Sequence, residues 1–192
     1  RRRGPERPPP RGTPGDTAPA GAREVRRAMS GGRYVDHRAE VLKRLVEIDE
    51  VVRRANDQSD LIDQAYLMQL AVIKLSGHVE YCVGRMIAGY LEEHSSHRVL
   101  AFSKRQAERI TNLNPAKLEQ LVGGFDPDWQ RALTDFLNTD ENRQSLGNLI
   151  GARHKLAHGG ATRATAPILA EYRKVANATV NLLFDLFLPV NS

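Results

Sequence analysis

Residues 60–91 read DLIDQAYLMQLAVIKLSGHVEYCVGRMIAGYL. Leu61, Ala65, Met68, Val72, Leu75, Val79, Cys82, Met86 and Tyr90 recur at three- and four-residue spacing, which lays one apolar stripe along a helix. Gly77 and Gly84 are internal and weaken helix propensity, so the segment predicts one long or slightly bent helix. Upstream, Val41, Leu42, Leu45, Ile48, Val51 and Val52 keep the same period from His37 to Arg54, and Asn56-Asp57-Gln58-Ser59 breaks it. Downstream, a helix is expected over about Val99–Thr111. Asn114-Pro115 then supplies an N-cap and a proline at the first helical position for Ala116–Val122. Asp126-Pro127 repeats that start for a helix to about Leu137. Thr139 or Asp140 can cap a further helix running to His158, which Gly159-Gly160 stops. Thr165 is expected to cap the last helix, beginning near Pro167, with Leu169, Tyr172, Val175, Thr179, Leu183 and Phe187 on one face. No segment alternates with the period of a strand. The expected fold is an all-α bundle of two long helices with short inserted ones, without an internal repeat.

The 192 residues carry a net charge of +5, distributed unevenly. Residues 1–28 hold eight Arg against three acidic residues and six of the ten prolines, with Val25 their only Val, Ile, Leu or Phe. Such a stretch buries too little to order itself, so residues 1–32 are expected to be a disordered Arg/Pro-rich tail and 33–192 a single domain. The tail reads either as a basic arm for RNA or another polyanion, or as a leader upstream of a start at Met29. The remainder is electrically neutral, which argues against a strongly basic nucleic-acid module. One cysteine, Cys82, rules out a disulfide framework and a paired-cysteine zinc or redox site, and it reads as buried packing in a reducing setting. No apolar run reaches the 18–20 or so residues of a membrane span. A cytoplasmic protein without membrane association is the expectation.

The chemistry concentrates in residues 149–160, LIGARHKLAHGG. Arginine and histidine together suit phosphodiester cleavage. An imidazole titrating near pH 6.5 can take or give a proton at neutral pH, and a guanidinium can stabilise charge developing on a phosphate. RNA supplies its own nucleophile in the 2′-hydroxyl, so the chemistry calls for no metal and no cofactor. At about 100° per residue His154 lies 40° from His158, and Arg153 about 140° from it. Arg143 and Gly147 fall in the same arc, while Leu149, Ala152 and Leu156 point toward a core. Arg-x4-His alone proves little, since about 0.7 occurrences are expected by chance in this chain. Acid and base roles usually need two groups, and symmetric pairing of two chains would bring two copies of the motif together.

In its context the run Arg153-His-Lys-Leu-Ala-His158-Gly159, after Leu149-Ile150, resembles the Arg-polar-x-x-x-His signature of the HEPN superfamily, in particular its RiboL-PSP-type branch. Members of that branch typically read Arg-Asn-x-Ile/Leu-Ala-His-Gly, and here His154 stands where Asn is usual. Gly77-His78-Val79-Glu80 and the Asn114-Pro115 and Trp129 region look similar too, so the resemblance spans about residues 60–188. It implies an all-α HEPN fold and a metal-independent endoribonuclease leaving 2′,3′-cyclic phosphate ends, active as a homodimer with paired motifs across the interface. It further implies that Arg153 and His158 are catalytic, that His154 fills the variable polar position, and that Glu80 is an auxiliary acidic group. Toxin–antitoxin or anti-phage settings, with an antitoxin or regulatory protein as partner, are common among such proteins. Some members are non-catalytic, which leaves open a module that binds RNA, a nucleotide or a protein without turnover.

Plainer readings stand beside these. Arg153 and His158 suit a helix C-terminus, where cations meet the negative end of the dipole. His154 and His158 have the i,i+4 spacing of a zinc pair, but Lys155 stands where the zinc peptidase motif has its Glu, and no third ligand is apparent. Glu80 can be an ordinary partner of Lys74, Arg85 or a backbone donor. His94 and His97 read as loop residues, and Trp129 and Tyr81 as core anchors. Lys104 and Arg105, with Arg109 nearby and Arg143 on the later helix, are candidate RNA-backbone contacts, or a solvated surface.

Overall fold

The computed structural model describes residues 37–96, 99 and 113–188. They lie in the second of two units into which the chain divides, Asp36–Ser192. The N-terminal tail, the expected Val99–Thr111 helix apart from Val99 itself, and the candidates Lys104, Arg105 and Arg109 fall outside the described residues, as does His97. Among the described residues six helices are present: α1 (His37–Asp57), α2 (Leu61–His94), α3 (Pro115–Gly123), α4 (Pro127–Leu137), α5 (Asn142–Ala157) and α6 (Ala166–Phe187). Among the described residues there is no strand, and the domain is all-α.

The long helix α2 is the axis of the bundle, and α1, α5 and α6 pack against it while α3 and α4 pack on each other. Asp60 caps it, accepting from the N–H groups of Ile62 and Asp63 at 2.8 and 3.1 Å. Its apolar stripe serves two core clusters in succession. Met68, Val72, Leu75 and Val79 meet Ile48 and Ala55 of α1, Leu149 of α5 and Leu169 and Ala176 of α6. Cys82, Val83, Met86 and Ile87 meet Leu118 and Val122 of α3, Leu133 and Leu137 of α4, Leu146 of α5 and Leu183 to Phe187 of α6. Because Leu146 belongs to one cluster and Leu149 to the other, both fully buried, α5 is clamped at its middle while its C-terminal turns reach outward. Arg173 of α6 pairs with Asp49 of α1 at 2.6 Å, joining two of the helices around α2.

Three local expectations need correction. Helix α2 runs beyond Leu91, so His94 is its last residue rather than a loop residue. Its ring stacks on Tyr90 at 4.2 Å, and its Nδ1–H donates to the Tyr90 carbonyl at 2.8 Å, supplying a donor to the helix end. Neither Thr139 nor Asp140 caps α5. The N-cap is Glu141, left-handed at φ 59°, and its side chain makes no cap. Thr139 Oγ1 instead donates back to the carbonyl of Asp135, and Asn142 Nδ2 to that of Phe136, so the turn's polar groups close the end of α4. Thr165 occupies the N-cap of α6 without a side-chain capping bond. The Asn114 and Asp126 caps form as expected, and Trp129 and Tyr81 pack against the core cluster of Cys82.

Candidate functional site

The site grows from the exposed end of α5. Ala152 and Leu156 pack against the core cluster around Leu75, as the helical register requires, and this turns Arg153 toward α2. There Arg153 Nη2 lies 3.5 Å from Glu80 Oε2. Both side chains are largely covered, at 27% and 13% exposure, so the pair sits at the rim of the core rather than in open solvent. A guanidinium remains charged at any working pH, and a carboxylate beside it fixes its direction. One residue on, His154 faces solvent, and its ring meets that of His158 edge to face with centroids 4.4 Å apart. Two exposed imidazoles in contact, beside a guanidinium held by a carboxylate, form a set able to bind a phosphate and move protons.

The placement of His158 depends on how α5 ends. Gly159 is left-handed at φ 76°, its N–H donates to the Leu156 carbonyl at 3.1 Å, and the Gly160 N–H donates to the Lys155 carbonyl at 2.8 Å. Together these two bonds are the Schellman pattern, which satisfies carbonyls the helix would otherwise leave open. His158 is the C-cap residue, and its own N–H is shared between the carbonyls of His154 and Lys155, each at 3.2 Å. A Cβ at Gly160 would stand 3.0 Å from the Lys155 oxygen, so the second glycine gives the chain room to turn away. One turn before His154, Gly151 is exposed, and a Cβ there would meet nothing within 4 Å. This leaves an unfilled notch on the outer face of α5 that the sequence reading did not single out. A glycine mid-helix where α5 itself has no need of one was the available signal.

Arg143 is not brought to this group. It lies ten residues earlier on the same helix, about 15 Å along the axis. There it is engaged by Glu119 of α3 in a two-pronged pair at 2.9 and 2.7 Å, with Nε on the Asn138 side chain at 3.2 Å. The Arg143 hydrogen bond holds the Glu119 carboxyl below the usual range, so this pair ties α3 to α5. His78, two residues from Glu80, points the opposite way. It is 1% exposed beside Cys82, with Sγ 3.6 Å from Nε2. Burial first, and the charge of Arg44 second, push its imidazole down to about 4, while burial pushes the Cys82 thiol up to about 12. Neither takes part in the surface chemistry.

Among the described residues no cluster of three potential ligands could hold a metal ion, and no helix is long and apolar enough to cross a membrane. A model of the RiboL-PSP-HEPN family matches residues 39–188. No curated protein and no solved structure matches the chain.

Proposed function

This chain belongs to the RiboL-PSP-HEPN family, and from that premise we propose that it is a metal-independent endoribonuclease. The observation that carries the reading is the meeting of Glu80-held Arg153 with the exposed His154–His158 pair at one helix end. The 2′-hydroxyl oxygen of one nucleotide attacks the adjacent phosphorus, the bond from phosphorus to the 5′-oxygen breaks, and a 2′,3′-cyclic phosphate and a free 5′-hydroxyl result. His158 serves as general acid/base for the protons that leave the 2′-oxygen and arrive on the 5′-oxygen, with His154 assisting. Arg153 neutralises the charge gathering on the phosphate, and Glu80 is a positioning residue for it. Two chains acting together supply a second copy of the motif. In this reading residues 33–192 are the working domain and 1–32 an appended Arg/Pro-rich tail. A cytoplasmic toxin–antitoxin or phage-defence setting, with a restraining partner protein, rests on family alone.

Incubating the full chain with a mixed RNA pool in excess EDTA, beside His158→Ala, tests this. Fragments ending in cyclic phosphate from the parent only are the expected result. Equal cleavage by the variant overturns the assignment of His158. Intact RNA with both proteins, while the parent binds it, favours the second reading. That reading is a non-catalytic RNA-binding module, and His154 in place of the usual Asn is the feature that speaks for it.

A further inference from the structure

His154 and His158 stand four residues apart at the end of α5, about 40° around its axis and about 6 Å along it. Both are exposed, and their rings meet with centroids 4.4 Å apart and planes at 64°. Two neutral imidazoles so placed offer two nitrogen lone pairs to one point in solvent. Zinc binds imidazole nitrogen at about 2.0–2.1 Å with tetrahedral angles, which sets two bound rings about 5 Å apart, centre to centre. The pair therefore reaches a shared ion by turning about its side-chain bonds and opening by roughly half an ångström.

The backbone beneath the rings is already fixed. His154 lies inside α5, and the His158 N–H is held by the carbonyls of His154 and Lys155 at 3.2 Å each. Chelation then restricts side-chain rotamers and little else. Charge favours a cation here as well. This is the C-terminus of a 16-residue helix, the negative end of its dipole. Arg153, the residue before His154, has the Glu80 carboxylate beside it at 3.5 Å. Lys155 opposes the ion, but it leaves the helix about 100° away from His154, and its flexible stem lets the ammonium swing into solvent.

We propose that His154 and His158 form a zinc site, the ion held by one nitrogen of each ring with water completing its tetrahedron. Two protein ligands make the site exchangeable, where a structural zinc site closes with four. Imidazole also discriminates against magnesium and calcium, which take oxygen ligands. Occupancy has a consequence for the proposed reaction. A ring bound to the metal has given up the lone pair with which it accepts a proton, so His158 no longer serves as general acid/base and His154 no longer assists. Zinc is thereby an inhibitor of cleavage, and a chelator relieves it. The site itself stands on the two rings; its effect on cleavage rests on the ribonuclease reading.

Competition for zinc between a chromophoric chelator and the full chain, carrying no polyhistidine tag and at neutral pH, tests the site without RNA. The wild type is expected to draw zinc from the chelator. His154→Asn and His158→Ala should each weaken binding about tenfold or more, with far-UV circular dichroism unchanged because both rings face solvent. His94→Ala, at the exposed end of α2, should bind as the wild type does. A wild type that takes no zinc overturns the proposal, as does equal binding by both α5 variants or a loss confined to His94→Ala. Against RNA, saturating zinc is expected to slow the wild type by about a hundredfold or more, EDTA to restore it, and magnesium to leave it unchanged. Cleavage that persists with the site occupied overturns the inhibition. RNA left intact in EDTA overturns the ribonuclease reading and the inhibition with it, while the zinc competition still decides the site.

Discussion

Acidification from pH 7 to 5 should destabilise this domain through one buried imidazole. His78 is 1% exposed, and burial with the nearby Arg44 charge lowers its pKa from 6.5 to about 4. The unfolded chain binds a proton at this residue as pH falls through 6.5, whereas the folded chain resists until about 4. Between those values the unfolded state carries more protons, so stability is complete above about pH 7 and is lost progressively on the way down. The loss is about 2 kcal/mol by pH 5 and about 3 kcal/mol once both forms are protonated. Glu50 and Glu119 are held below the ordinary carboxylate range by Arg53 and Arg143 and lose their contributions at lower pH. Urea unfolding at pH 7, 6 and 5 measures the effect, with His78→Leu as the reference of similar volume and no titration. The wild type should lose about 2 kcal/mol more than the variant over this interval. Parallel pH dependences would refute the argument, because the imidazole would then titrate alike in both states. The result also bears on function. A domain with ordinary stability of about 5–15 kcal/mol stays folded after such a loss, so a fall in RNA cleavage between pH 7 and 5 would not be an effect of unfolding.

Four further outcomes follow from the geometry. Cys82, fully buried with its thiol pushed up to about 12, should resist a thiol reagent in the native state and react at once in denaturant; rapid native labelling would contradict its burial. Glu80→Ala should lower RNA cleavage by about tenfold or more through misplacement of Arg153, with Glu80→Gln recovering most of it; equal losses in both would point to the carboxylate charge rather than to positioning. Gly151→Ala should raise stability by about 0.5–1 kcal/mol, read as a higher melting temperature, because the added methyl meets open space. Gly159→Ala should cost about 1 kcal/mol or more in the same assay, because Gly159 is left-handed at φ 76°.

Much of the fold was legible because it depends on local chemistry. The period of α2, the Asn114-Pro115 and Asp126-Pro127 starts and the Gly159-Gly160 stop each act over a few residues, and the structure keeps them. The start of α5 was not legible, because Thr139 had a competing acceptor at Asp135 and the structure prefers it. Arg143 shared an arc with Arg153 on paper, but an angle says nothing of distance along the axis or of Glu119, which arrives from another helix. The partner of Arg153 was likewise beyond any spacing rule. Glu80 is 73 positions away in the chain, and only the packing of α5 across α2 brings the two within 3.5 Å. The family resemblance had marked both residues without joining them.

In the proposed reaction, that packing divides the labour within the motif. Arg153 lies inside the last turns of α5, flanked by the core contacts of Ala152 and Leu156 and held by Glu80, so its guanidinium has little freedom. His158 sits one residue past the helix, on a backbone fixed by the two glycine bonds but with a ring open to water. A phosphate contact gains from rigidity, since each ångström of misplacement weakens charge stabilisation aimed at one point. Proton transfer to two different oxygens gains from a ring that can turn. The sequence order Arg, four residues, His, Gly therefore carries a physical meaning beyond spacing. In the proposed reaction it places the charge on the anchored part of the helix and the proton-transferring group at the point where the helix lets go.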